Sequence, residues 1–126
     1  MLTDKERTLL NGKNFVHLAT VNPDGSPQVS PVWVGVEDDF ILINTEQGRA
    51  KARNVARDPR VALSVYDQND PYDSASLRGQ VVEITENGAR DHIDKLSQKY
   101  LGKLYPWHGE GERRVIIKIR KVEPKH

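Results

Sequence analysis

The feature that most constrains this sequence is a series of strand-like segments with short connections and few helices between them. Six segments are rich in β-branched and aromatic residues: FVHLATVN, QVSPVWVGV, FILINT, RVALSVYD, SLRGQVVEIT and RRVIIKIRKVE. A parallel sheet needs a crossover helix between nearly all successive strands, and the chain does not supply them. The pattern therefore predicts a mainly β protein, a closed antiparallel barrel of about six strands with a few short helices.

The connections between these segments support antiparallel pairing. The turn cluster PDGSP, from Pro23 to Pro27, predicts a hairpin, and Asp38-Asp39 predicts a second tight connection. The segment QNDPYDSA is predicted to be a loop. In the last strand Val115, Ile117 and Ile119 alternate with basic residues, which is the period of a half-buried strand.

Helical signals occur in three places. Thr3 and Glu6 have the spacing of a capping box, and Leu2, Leu9 and Leu10 give the following short helix an apolar side. Residues 89–101 place Ala89, Ile93, Leu96 and Tyr100 at helical spacing, with Gly102 as the terminating residue. A third helix is predicted to start near Gln47 or Gly48, with Ala52, Val55 and Ala56 as its apolar stripe.

Length and composition limit the class of protein. The 126 residues predict one domain over positions 1–126. The first twelve residues carry no signal-peptide core, no apolar run approaches the roughly 20 residues of a membrane span, and cysteine is absent. We therefore expect a cytoplasmic protein without a membrane partner. The net charge of +1 argues against a nucleic-acid partner, which usually requires a strongly basic surface.

Positive charge is nevertheless concentrated in one segment. Arg49, Lys51, Arg53 and Arg57 follow the strand FILINT, and between Arg49 and Pro59 the only acid is Asp58. The arginines at 49, 53 and 57 are four residues apart and share one helix flank, whereas Lys51 is expected on the far side. The N-terminus of a helix binds phosphate readily, so this segment is either an anion site or a solvated helix face.

Other functional residue types give weaker signals. The histidines His17, His92, His108 and His126 lack the spacing of metal ligands, so no metal site is expected. Trp107, in the loop YPWHGEGE, either closes over a pocket or anchors its loop on the barrel. No residue is indicated as a general acid or base, and the catalytic residues stay unassigned.

Five segments taken together resemble the pyridoxamine-phosphate-oxidase-like family of flavin and deazaflavin binding proteins. They are ATVNPDGSPQVSPVWV, FILINT, GRAKARNVARDPRVALSV, LRGQVVEI and ERRVIIKI, in this order and at similar spacing, and they cover nearly the whole chain. The resemblance implies an FMN-binding split barrel with Greek-key-like connections, in a homodimer whose cofactor sites lie at the subunit interface. GRAKARN followed by RDPRV is most similar to the branch of oxidoreductases that use the deazaflavin coenzyme F420.

The resemblance also implies where the cofactor is held. The phosphate is expected at the end of one strand and the start of the next helix, which assigns Asn44, Thr45, Arg49, Ala50, Lys51 and Asn54. The ring is expected beside the second strand, which assigns Gln28, Val29, Ser30, Pro31, Val32 and Trp33. The partner chain is expected to close the site with Tyr72.

Two classes of function follow from the resemblance. The first is an F420-dependent oxidoreductase that transfers a hydride between the cofactor and a small unsaturated or quinone-like substrate, in which Arg53 and Arg57 attract the acidic tail of the cofactor. The second is a binding protein that holds FMN or haem for storage, sensing or flavin oxidoreduction. In the first class the cofactor carries the hydride and the protein orients it.

Overall fold

The computed structural model describes residues 1–124. Seven strands and three helices follow one another in the order α1 (Asp4–Asn11), β1 (Val16–Val21), β2 (Pro27–Val32), β3 (Gly35–Glu37), β4 (Phe40–Glu46), α2 (Ala50–Arg57), β5 (Arg60–Asp67), β6 (Asp70–Thr85), α3 (Ala89–Leu101) and β7 (Arg114–Val122). No helix within residues 1–124 combines the length and apolar character that crossing a membrane takes.

The strands form one antiparallel sheet that is curled into a split barrel. The strand order is β2-β1-β5-β6-β7-β4-β3, so β2 and β3 lie at opposite edges. These two strands are separated by only Trp33 and Val34 in the chain. Because two residues span only a few ångströms, the edges must curl towards each other, with a gap between them. The mainly β split barrel implied by the resemblance is confirmed, whereas the closed barrel expected from the strand pattern is wrong, because β2 and β3 are not paired.

The strand count differs from the prediction because QVSPVWVGV is not one strand. The chain leaves β2 at Trp33, and the backbone of the fully buried Val34 bonds to side chains of α3 instead of to another strand. The Val34 amide donates to the Tyr100 hydroxyl (3.2 Å), and the Val34 carbonyl accepts from Lys99 Nζ (2.7 Å). These bonds satisfy the buried backbone, so the strand can break at this point.

The predicted loop QNDPYDSA is also wrong for most of its length. Strand β6 begins at Asp70 and continues for 16 residues, with Ser74 opposite Tyr66 and Ala75 opposite Val65 on β5. The polar side chains of this half of β6 are mostly exposed, and pairing with β5 determines its conformation. Tertiary pairing has overridden weak strand propensity here.

The interior is formed by β4 and β7 together with β1, β5 and α1. Ile41, Ile43, Ile117 and Ile119 are fully buried, which confirms the predicted alternation of β7. Gly79 on β6 allows the sheet to pack closely, because a Cβ there would lie 2.5 Å from Ile119 Cγ2 and 3.3 Å from the Arg120 carbonyl oxygen.

Two of the predicted helices are confirmed in detail. In α1 the Glu6 amide donates to Thr3 Oγ1 (3.1 Å), and the Glu6 carboxylate accepts from the Thr3 amide (2.9 Å). The predicted apolar residues of α1 and α3 are buried, and Gly102 ends α3 with φ 76°.

The third helix differs from the prediction at its start and on its buried face. Helix α2 begins at Ala50, after the extended residue Arg49, and not at Gln47 or Gly48. Its buried residues are Ala52, Asn54 and Val55, and Ala56 is exposed. Asn54, and not Ala56, is the third buried residue, because its side chain is satisfied by a hydrogen bond to Thr20 at the end of β1.

Candidate functional site

A cavity of about 260 Å³ lies where the ends of β2 and β4 and the start of α2 meet the loop between α3 and β7. It combines basic, polar and aromatic side chains. The lining residues are Phe15, Pro31, Val32, Trp33, Asn44, Thr45, Glu46, Arg49, Lys51, Ile93, Tyr105, Trp107 and Arg114.

The basic side of the cavity lies at the start of α2. Arg49 caps the helix in an extended conformation, and its side chain makes no hydrogen bond to the free amides of the first turn. Lys51 is half-buried, and its pKa is lowered by burial and then by the charge of Arg49. Neither cation forms an ion pair within residues 1–124. The start of α2 therefore carries two cations without an ion-pair partner in the described chain, since Glu46, the acid that lines the same cavity, lies 3.5 Å from Arg114.

The second half of the same helix is different. Arg53 Nη1 donates to the Gly48 carbonyl (2.6 Å), and Arg57 Nη2 donates to the Val21 carbonyl (2.8 Å) and to Asn54 Oδ1 (2.9 Å). Both guanidinium groups thus bind the protein's own backbone, and neither lines the cavity.

Aromatic rings form the opposite side. Trp33 stacks on the buried Tyr100, with ring centroids 5.2 Å apart and planes within 5°, and contacts Tyr105 edge-on at 6.2 Å. Trp107 contacts Tyr105 edge-on at 5.5 Å. Trp107 lines the cavity and is 62% exposed. It therefore borders a pocket, as one alternative expected, and its contact with Tyr105 also fits the other, an anchor for its loop.

Arg114 joins the two sides, and sequence reasoning did not identify it. Its buried guanidinium donates to Asn44 Oδ1 (3.1 Å), Tyr105 Oη (2.9 Å) and Glu112 Oε2 (3.0 Å). The pairing of β4 with β7 brings it there, because Arg114 lies opposite Glu46 in the register. Arg114 stands at the start of the strand that pairs with FILINT. Because the sequence does not reveal which strands pair, it gave no signal that Arg114 would reach the cavity.

Asn44 serves the fold as well as the cavity. Its Nδ2 donates to the Ala89 carbonyl (2.8 Å) and to His92 Nδ1 (3.1 Å), so it holds the start of α3. Burial, and then the charge of Lys95, lowers the pKa of His92 to about 4. His92 is therefore neutral at physiological pH, as an acceptor at Nδ1 must be.

The structure brings part of the predicted set together. Seven predicted residues line the cavity: Pro31, Val32, Trp33, Asn44, Thr45, Arg49 and Lys51. Among the predicted ring-side residues that do not line it, Gln28 bonds to Thr20, Val29 is 61% exposed on another groove, and Ser30 has a buried hydroxyl without a partner in residues 1–124.

The remaining predicted residues lie on α2 and β6. Ala50 is exposed, and Asn54 donates to Thr20 Oγ1 and Asn22 Oδ1 at 3.0 Å each. Tyr72 is 94% exposed on β6, and its expected role concerns a partner chain. Asn54 is not among the residues that line the cavity, and its two bonds attach α2 to β1.

A larger groove of about 470 Å³ crosses the outer face of the sheet. Its walls come from β1, β2, β5 and β6 and include His17, Ala19, Val29 and Ser64. Its described lining residues include none of the aromatic rings of the smaller cavity, and of its two cations, Arg78 and Lys121, the second forms an ion pair with Glu6 (2.9 Å). The smaller cavity is therefore the stronger candidate for a phosphate-bearing ligand.

The structure contains no group of three or more potential metal ligands in the part of the chain that it describes. His17 stacks on Tyr66, with centroids 6.4 Å apart, and His108 lies between two carboxylates. His126 lies outside the described residues.

Sequence comparison relates the chain to pyridoxine/pyridoxamine 5'-phosphate oxidases. A family model described as pyridoxamine 5'-phosphate oxidase matches residues 2–124. A pyridoxine/pyridoxamine 5'-phosphate oxidase from Azorhizobium caulinodans is 34% identical over 113 residues, which are 89% of this chain and 52% of that protein. One from Rhodopseudomonas palustris is 32% identical over 71% of this chain and 42% of that protein. The chain spans about half the length of these curated relatives.

Structure comparison gives a similar fold over nearly the whole chain. A solved structure described as an F420 reductase superposes with a TM-score of 0.86 and 33% identity over 97% of both chains. A conserved hypothetical protein from Mycobacterium tuberculosis superposes with a TM-score of 0.69 and 24% identity, over 96% of this chain and 84% of that one. The second similarity supports the fold alone.

Proposed function

The chain belongs to the pyridoxamine 5'-phosphate oxidase family, and we propose that it is an oxidoreductase that holds coenzyme F420, or alternatively FMN, in the cavity at the start of α2. Its substrate is a small unsaturated or quinone-like molecule. We further propose that residues 1–126 act as one cofactor-binding domain in the cytoplasm.

One observation carries this proposal: Arg49 and Lys51 face the cavity without an acidic partner in residues 1–124. A half-buried ammonium beside a second cation is unfavourable until an anion arrives, and the lowered pKa of Lys51 reflects this. The uncapped first turn of α2 adds amide donors in the same place. This set of donors fits the phosphate that both cofactors carry.

The aromatic side fits a flat heteroaromatic ring. Of the predicted ring-side residues, Pro31 and Val32 at the end of β2 and the following Trp33 line the cavity. Trp33 is fixed by its stack on Tyr100, so it offers a rigid surface. The bound cofactor supplies the hydride chemistry, while the residues of the chain bind the phosphate, orient the ring and exclude water.

A homodimer completes the proposed site. Tyr72 and Tyr66 project from β6 and β5, with exposed fractions of 94% and 43%, and Val29 is 61% exposed on the apolar outer groove. A second copy related by two-fold symmetry would cover this face and bring Tyr72 to the partner's cavity. Light scattering should give the mass of a dimer. A stable monomer with full cofactor affinity would contradict the interface site.

Each cofactor has its own support. The F420 reductase is similar in sequence and over the full length, which favours F420. FMN is the second candidate because only Arg49 and Lys51, at the proposed phosphate site, line the cavity among the basic residues of this segment. Arg53 and Arg57, which were expected to attract the acidic tail of F420, bind backbone carbonyls instead. FMN needs only the phosphate end.

Equilibrium binding of purified protein to FMN and to F420 tests the proposal. We expect at least one to bind, with loss of affinity in Lys51→Ala and no loss in the control Arg60→Ala, since Arg60 pairs with Asp58 away from the cavity. The cofactor that binds is then used in a substrate scan. Failure of both cofactors to bind would overturn the proposed function.

A further inference from the structure

The loop that carries the aromatic wall has its own attachment to the fold. Residues 102–113, the 102–113 loop, connect α3 to β7 without regular structure. Tyr105 and Trp107 in this loop line the cavity. Trp107 is 62% exposed and makes its ring contact with Tyr105. The position of this wall therefore depends on what holds the loop.

His108 lies between two carboxylates from different elements. Its Nε2 is 2.9 Å from Asp94 Oδ1 on α3, and its Nδ1 is 2.8 Å from Glu112 Oε1 beside β7. Ionised carboxylates only accept hydrogen bonds, and a neutral imidazole has a single N–H. Both contacts are therefore hydrogen bonds only when His108 is an imidazolium.

The surrounding charges stabilise this arrangement. The side chain of Glu112 is only 3% exposed, and Arg114 Nε (3.0 Å) and Arg90 Nη1 (3.5 Å) also contact its carboxylate. Asp94 Oδ1 accepts from the Tyr105 amide as well (3.0 Å). The hydrogen bonds to Glu112 and Asp94 raise the pKa of His108, against the opposing effects of burial and Arg90.

We propose that His108 is a positioning residue for the cavity: its imidazolium ties the 102–113 loop to α3 and to the start of β7. Loss of its proton breaks one of these ties and loosens the part of the wall formed by Trp107, while Tyr105 keeps its hydrogen bonds to Asp94 and Arg114. The inference rests on the proposed function only for what occupies the cavity. The ties of His108 exist without a ligand and can be tested without one.

The direction of the pH effect follows from the sign of the shift. The folded protein holds the His108 proton more tightly than the unfolded chain, whose ordinary pKa is 6.5. The contribution of the imidazolium is therefore complete below pH 6.5 and is lost as pH rises through the raised pKa. The loop should be closed in mildly acidic solution and open in alkaline solution.

The test uses Trp107 as the reporter. The chain has two tryptophans, so Trp33→Phe leaves Trp107 as the sole source of tryptophan fluorescence. We expect acrylamide quenching of Trp107 to increase with pH, at the same midpoint as the imidazole ¹⁵N shifts of His108. Loss of one charge-assisted hydrogen bond should lower the closed-to-open ratio about tenfold.

Matched variants separate positioning from general stability. In His108→Gln the quenching should be high at all pH values, whereas the control His17→Gln should keep the pH dependence. If His108→Gln does not fold, the comparison of the ¹⁵N and quenching midpoints in the parent protein decides. A neutral His108 at pH 6, or quenching that does not change with pH, would overturn the inference. Absence of FMN and F420 binding would instead overturn the proposed function and leave this result standing.

Discussion

The two halves of α2 carry the same kind of charge and use it differently. In the first turn, Lys51 and the capping residue Arg49 line the cavity and form no ion pair within residues 1–124. In the second half, Arg53 and Arg57 donate to carbonyl oxygens of Gly48 and Val21. The first pair is available to a ligand, whereas the second pair stabilises the attachment of the helix.

This difference shows that the partner of a cation, and not its spacing, determines its role. The four-residue spacing grouped Arg49 with Arg53 and Arg57 and put Lys51 on the far side. In the structure Arg49 is extended and precedes the helix, so helical spacing does not determine where its side chain lies. Arg49 and Lys51 line the same cavity. A functional comparison of the two pairs is therefore a direct test of the site.

The largest expected effect is on cofactor affinity in the first turn. Arg49→Ala or Lys51→Ala should weaken binding of the cofactor by about 1.5–3 kcal/mol, the scale of charge-assisted hydrogen bonds. The melting temperature should change little, because neither cation is paired with an acid of the described chain. Lys51→Arg should not restore full affinity, since a planar fork presents its donors differently. Unchanged cofactor affinity in both alanine variants would show that the first turn of α2 does not bind the cofactor phosphate.

Trp33→Ala extends the comparison to the opposite wall of the cavity. Removing the stack on Tyr100 should lower the free energy of unfolding by about 0.5–1.5 kcal/mol, in addition to the loss of buried area. It should also change the fluorescence of a bound cofactor, whereas Trp33→Phe should preserve most of the stack. Stability and cofactor fluorescence measured on the same samples separate the two effects. A loss of stability with unchanged cofactor binding would place Trp33 in the core alone.

Arg57→Ala tests whether the second half of α2 contributes to stability and not to cofactor binding. It removes the hydrogen bonds to Val21 and Asn54 and should lower the free energy of unfolding by about 1 kcal/mol. FMN affinity should not change. Urea unfolding measures the first quantity and titration the second. Weaker FMN binding with unchanged stability would reverse the assignment of Arg57.

The smallest effect is expected for Arg53→Ala. Arg53 is exposed and its bond is to the nearby Gly48 carbonyl, so stability should change by less than about 0.5 kcal/mol. If F420 binds with its acidic tail near α2, this variant should weaken F420 slightly at low salt and not at high salt. An equal effect on FMN would show that Arg53 contributes to the phosphate site.

Much of the fold could be predicted because local patterns determine it. The capping box of α1, the apolar positions of α3 and the alternation of β7 depend on neighbours in sequence. The break at Trp33 and Val34 and the long β6 could not be predicted, since they depend on Tyr100, Lys99 and β5, which are distant in the chain.

The candidate site divides in the same way. Thr45, Arg49 and Lys51 follow one another closely, so one segment carries the phosphate end. Arg114 and Tyr105 come from the other end of the chain through the pairing of β4 with β7, and local patterns contain no signal for that. The role of Asn54 at the ligand stays a prediction, and its bonds to Thr20 and Asn22, which attach α2 to β1, could not be read from local patterns.

The most direct test is calorimetric titration of FMN and F420 into Arg49→Ala, Lys51→Ala, Arg53→Ala and Arg57→Ala, at low and high salt. We predict that the first two variants lose affinity for whichever cofactor binds. Lys51→Ala should lose it at both salt concentrations because Lys51 is half-buried, whereas Arg49 is exposed and the effect of Arg49→Ala should be smaller at high salt. The other two should leave FMN affinity unchanged and affect F420 only at low salt. Equal and negligible effects of all four substitutions on both cofactors would contradict a phosphate site at the start of α2, and would mean that this segment is a solvated helix face.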